Sequence, residues 1–109
     1  MSKAMKTAQK YLQMTGYDVI EQVNNKLIFV YDANANEVAL CKVSIHDSKL
    51  HKTSDESMLR QEFEKYINKF FNEHDDYVDV RVRFDSIVIC IIGMNRGIVR
   101  HLVNGELED

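Results

Sequence analysis

The chain has no proline, and its four glycines are scattered among turn-like segments. No glycine-rich phosphate loop can be drawn from them. There is no linker, repeat or low-complexity segment, so residues 1–109 read as one domain. No apolar run approaches the roughly 18 residues that a membrane-crossing helix needs. The opening Met1-Ser2-Lys3-Ala4-Met5-Lys6 leads into a polar amphipathic segment, not an apolar signal core. Cysteine is scarce: Cys41 and Cys90 each sit in an apolar, strand-like run. They read as buried free thiols. A disulfide would need an oxidising compartment, and a zinc pair would need further ligands at short spacing. The expected location is the cytoplasm, with no membrane partner and no cofactor. A basic excess is also missing. The net charge of −3 argues against a general grip on nucleic acid and leaves room only for a local basic patch.

What is present is a regular succession of periodic segments. Ala4, Ala8, Tyr11 and Leu12 share one face of a helix over 3–15, with Lys3, Lys6 and Lys10 on the other. Gly16 is placed to stop it. Segments 17–23 and 26–32 read as strands around Asn24-Asn25, a pair that tolerates a tight hairpin. Asp32 to Asn36 is a turn, and a third strand follows from Glu37 to about Ile45. His46 to Lys52 is polar and reads as a loop. Thr53-Ser54-Asp55-Glu56 has the form of a capping box. It precedes Leu59, Phe63, Ile67 and Phe70, at helical spacing through about residue 73. Residues 77–92 read as a long strand. Its first half alternates, with Asp79, Arg81, Arg83 and Asp85 on a charged face, and its second half is continuously apolar. A short strand over 98–103 and an acidic tail finish the chain. The order α-β-β-β-α-β-β predicts an α/β fold, a central mixed sheet flanked by helices.

That order is the core of the restriction-endonuclease-like fold. Ala8-Gln9-Lys10-Tyr11-Leu12 with Gly16-Tyr17-Asp18-Val19-Ile20-Glu21 resembles the opening of the YraN family, approximately A-x-x-Y-L-x-x-x-G-Y-x-I-L-E. Arg83-Phe84-Asp85-Ser86-Ile87-Val88 resembles its R-F-D-V-V segment. Gly97 to Asn104 resembles its closing G-x-I-x-H-x-x-N-A. The resemblance implies a nuclease fold of the PD-(D/E)xK superfamily with a divalent-metal site. The residues of that site are not here. The family's strand-2 Asp falls on Leu27, or on Ile28 if the register slips by one. Its Glu-x-Lys falls on Lys42 and Ser44, and its helix-1 Glu falls near Met5.

A divalent metal for phosphodiester hydrolysis needs hard oxygen ligands. Leu27 offers none. Lys42 would set an ammonium about 4 Å from a dication, a repulsion of roughly 8 kcal/mol at an effective dielectric near 20. Ser44 removes the lysine that would stabilise developing charge. Asp32 and Glu37 flank a turn and read as a solvated hairpin end, and Asp85 as a structural partner of Arg81 or Arg83. His101 reads as structural, and His46 and His51 lack a third metal ligand. The expectation is therefore a nuclease-fold protein without catalytic or metal-binding residues. Two roles are open to it. One is a DNA- or RNA-binding module using Lys42 with Lys3, Lys6, Lys10, Lys49 and Lys52. The other is an interaction domain whose last strand pairs with a second copy. A divergent nuclease built on Asp32, Glu37 or Asp85 is the third possibility.

Overall fold

The computed structural model describes residues 2–47, 52–53, 57–94 and 96–109. Helix α1 (Lys3–Met14) is followed by strands β1 (Asp18–Gln22), β2 (Leu27–Asp32) and β3 (Glu37–Asp47). Two short strands, β4 (Lys52–Thr53) and β5 (Met58–Leu59), precede helix α2 (Arg60–Glu73). Strands β6 (Arg81–Ile91), β7 (Gly97–Leu102) and β8 (Leu107–Glu108) complete the chain. The central sheet runs β1-β2-β3-β6-β7, with β4 beside the end of β3. β1, β2 and β3 form an antiparallel meander. β6 lies parallel to β3 along its whole length, from Glu37↔Arg81 to Asp47↔Ile91. Parallel neighbours cannot be joined by a hairpin, and the chain between them carries α2 as the crossover. The fold is α/β with a mixed sheet, as the periodicity predicts.

Local chemistry sets the element ends. Ser2 caps α1, its Oγ accepting from the Met5 amide at 3.1 Å. Gly16 ends the helix at φ 92°, where a side chain would be strained. Asn24 Oδ1 accepts from the amides of Lys26 and Leu27, which closes the first hairpin. Strand alternation then sorts the core into two layers. Met5, Ala8 and Leu12 of α1 pack on Ile28, Val30, Ala39, Cys41, Val43, Ile87 and Ile89. Phe63 and Phe70 of α2 pack on the opposite face, against Leu27, Phe29, Val38, Leu40 and Phe84. The helices thus cover opposite faces of one sheet.

Three expectations need correction. Thr53 belongs to β4, Ser54, Asp55 and Glu56 lie outside the described residues, and α2 begins only at Arg60. The residue before it, Leu59, makes no side-chain cap. Met58 and Leu59 instead pair with Leu107 and Glu108, so strand pairing holds the backbone that a capped helix would have used. The acidic tail is consequently ordered structure, and Asp109 bridges Arg60 at 2.9 Å. The long strand starts at Arg81 rather than Tyr77. Asp79 sits at φ 57°, outside any strand, with its carbonyl accepting from Asn36 Nδ2. Nor does the alternation give a charged solvent face, because Arg83 and Asp85 are buried.

Candidate functional site

Arg83 and Asp85 of β6 lie on the α1 face of the sheet. Asp85 is fully buried, and its carboxylate accepts four times. Arg83 donates to it through Nε (3.0 Å) and one terminal nitrogen (3.1 Å), a bidentate fork from a residue two positions away on the same strand face. His101 Nε2 lies 2.8 Å from Oδ2, and the Asn104 amide donates to Oδ1 at 3.0 Å. Arg83 also reaches Asp32 (2.7 Å), Glu37 (3.1 Å) and the Tyr17 hydroxyl (3.3 Å). The Tyr11 hydroxyl lies 2.9 Å from His101 Nδ1. Both ring nitrogens are satisfied when Nε2 carries the proton, Tyr11 O–H donating to Nδ1. The hairpin-end acids are therefore not solvated: Asp32 and Glu37 close the far side of a buried arginine. Asp85 is the structural partner of Arg83 that the sequence suggested, and His101 belongs to the same network.

The network holds its charged groups by mutual hydrogen bonds. Burial pushes the Asp85 carboxyl up, but hydrogen bonds from His101, Arg83 and the Asn104 amide outweigh it and hold the group below its ordinary range. Burial works against the Arg83 guanidinium too, yet Asp85 and Asp32 more than compensate. The Tyr11 phenol is raised by burial, with Tyr17 and Asp85 adding to it, so it is not an activated nucleophile. Because the folded carboxyl of Asp85 titrates below the unfolded one, its contribution is complete above about pH 4 and is lost as pH falls through the folded value. Stability should therefore fall steeply on the acid side of about pH 4. Urea titrations at several pH values should show a shallower acid slope for Asp85→Asn than for the native chain.

The positions first expected to hold the nuclease acids lie on the other face. Leu27 and Lys42 are cross-strand partners, Ser44 follows on the same side of β3, and Ser86 stands beside Lys42 on β6. The sequence register thus brings Leu27, Lys42 and Ser44 together, but not into an open cleft. Leu27, Ser44 and Ser86 are buried, as is Met58 in the same layer. Lys42 is half-buried and donates from Nζ to the Ser57 carbonyl at 2.6 Å. Among the described residues nothing hydrogen-bonds the Ser44 and Ser86 hydroxyls. No protein-family model matches this chain, and no curated protein matches it.

The described basic side chains fall on two faces of the sheet. Lys3, Lys6 and Lys10 are exposed on α1, across the sheet from Lys42. Lys49 and His51 lie outside the described residues, and for Lys52 only the backbone pairing with Asp47 is described. Cys41 and Cys90 are free thiols, Cys41 buried and Cys90 half-buried. Burial pushes the Cys41 thiol well up, with the Asp85 charge adding to it, and leaves it unreactive. Sequence reasoning missed Tyr11, Tyr17, Asp32 and Glu37 as members of the network. The signal for Tyr11 and Tyr17 is that they fall, like Arg83, Asp85, His101 and Asn104, in the segments carrying the family resemblance; Asp32 and Glu37 fall outside those segments.

Proposed function

We propose that this chain is a non-hydrolytic domain of restriction-endonuclease-like fold, related to the YraN family, that works by binding a second copy of itself. The element order supports the fold reading, with α2 carrying the chain across to set β6 beside β3. So does the convergence of the resemblance segments, scattered from Tyr11 to Asn104, on one hydrogen-bonded cluster around Asp85.

One observation carries the loss of hydrolysis. A metal site needs its ligands on one side of the sheet, and the family's helix-1 position falls at Met5, on the α1 face. Leu27, Lys42 and Ser44 face the other way. Shifting the strands by one residue brings Ile28, Cys41 and Val43 beside Met5. Those four side chains form part of one apolar core, none more than 4% exposed. Neither set of positions carries a carboxylate, and Asp85, the partner of Cys41 on β6, is already engaged by Arg83, His101 and the Asn104 amide.

The binding half rests on the sheet edges. β1 is a guarded edge, short, bulged between Val19 and Glu21, and acidic. β7 has neither bulge nor acidic residue, and no strand pairs with its outer side among the described residues. Ile98 (55% exposed) and Leu102 (40%) lie on one face of it. Antiparallel pairing of two β7 strands about a two-fold axis would continue the sheet and cover both. Light scattering on the purified chain should give a dimer mass that falls to the monomer in Ile98→Glu/Leu102→Glu. A native monomer at high concentration would overturn the self-pairing. Salt-sensitive binding of labelled duplex or branched DNA by such a monomer would favour a nucleic-acid role instead.

A further inference from the structure

We propose that Glu21, Glu73 and His74 form a site for one divalent transition-metal ion, zinc fitting best, that clasps the end of α2 to the edge strand β1. The two carboxylates and the imidazole each present a ligand atom, and all three atoms lie within 4.8 Å of one another. His74 Nε2 stands 3.7 Å from Glu21 Oε1. Zinc bonds of about 2.0–2.2 Å in tetrahedral geometry span ligand atoms roughly 3.4 Å apart, so that separation is a few tenths of an ångström from coordination. One imidazole with two carboxylates is a borderline donor set that suits zinc better than calcium or magnesium.

Three further features favour a cation here. The β1 bulge turns Glu21 to this side: Val19 pairs with Val30 of the α1 layer, whereas Glu21 pairs with Phe29 of the α2 layer. Without that extra residue Glu21 would point under α1. Bulges recur where a side chain must be re-aimed beside a site. Next, Glu73 is the last residue of α2, at the negative end of the helix, and the last turn has no basic residue. A carboxylate there is unfavourable unless a cation meets it, either a metal ion or, without one, the Lys69 ammonium that lines the same recess. Third, the His74 ring is held by stacking on Phe70, 4.3 Å between centroids and 22° between planes. A recess of about 130 Å³, lined by both glutamates with Gln22, Tyr66 and Lys69, adjoins the cluster. It has room for a water to fill the fourth position, at roughly 30 Å³ for each water. The three residues follow no metal-binding spacing in the sequence.

Calorimetric titration of the chelator-treated full chain with zinc should show one ion bound per chain, and thermal melts should rise with zinc. Glu21→Gln and His74→Ala, each checked for folding by circular dichroism, should weaken binding at least about a hundredfold. Cys90→Ala should leave it unchanged. X-ray absorption should report nitrogen and oxygen ligands. Absence of zinc-dependent heat and of any melting shift would overturn the site and leave an imidazole–carboxylate contact. So would sulfur ligation, or zinc binding undiminished in folded Glu21→Gln and His74→Ala.

Discussion

Asp85→Ala should cost about 4 kcal/mol of unfolding free energy, which is much of the roughly 5–15 kcal/mol that a domain of this kind possesses. The substitution removes the acceptor of four hydrogen bonds at a position with no access to water. It leaves Arg83, 4% exposed at its side chain, with only Asp32 and Glu37 to balance it. The His101 ring nitrogen and the Asn104 amide are orphaned as well, at about 1–3 kcal/mol for each buried unpaired group. Arg83→Met should be at least as damaging at neutral pH, because three carboxylates then crowd together without their cation. Removing both charges as Arg83→Met/Asp85→Leu should cost less than the sum of the single changes by about 1–3 kcal/mol. Additive losses in urea denaturation would mean that the two residues do not act as a pair.

This cluster marks how far the sequence could be read. The helix over 3–15 and the strands of the meander are announced by spacing, turn residues and a glycine stop, all local signals, and they fold as read. The β6 segment misleads because alternation of charged and apolar residues ordinarily means one wet face. Here both faces are covered. Arg83 and Asp85 can be buried only because Asp32, Glu37, Tyr11, Tyr17 and His101 arrive from elsewhere in the chain. Asp32 and Arg83 stand 51 positions apart, and Tyr11 and His101 stand 90 apart. No local pattern reports such partners. The start of α2 departs from the capping-box letters for a related reason: the pairing of Met58–Leu59 with Leu107–Glu108 is a long-range contact. At the candidate nuclease positions the sequence is legible only as residues that are not acids. Leu27, Lys42 and Ser44 do come together, but the residue spacing alone could not say that Lys42 would be tied to the Ser57 carbonyl, or that Met5 would face the other layer.

That layering gives the second large effect. Ile28 is fully buried among Met5, Cys41 and the rest of the α1 core. An aspartate there would be an ion with no cation beside it, and the effective penalty for burying such a charge is several kcal/mol. Adding the lost burial of the isoleucine, about 1.5–3 kcal/mol, Ile28→Asp should cost roughly 5 kcal/mol or more. Leu27→Asp should be milder by about 1 kcal/mol, because its cross-strand partner is Lys42, whose ammonium can pair with a carboxylate. A domain that had kept a vacant nuclease centre would respond differently, since its ancestral Asp position would still be wet and able to take metal. The measurement that bears most directly on the proposed loss of hydrolysis is therefore urea unfolding of Ile28→Asp, with and without millimolar Mg²⁺. Packed core at this position predicts a loss of about 5 kcal/mol that Mg²⁺ does not restore. A variant with near-native stability, raised further by Mg²⁺ and nicking plasmid DNA, would contradict it.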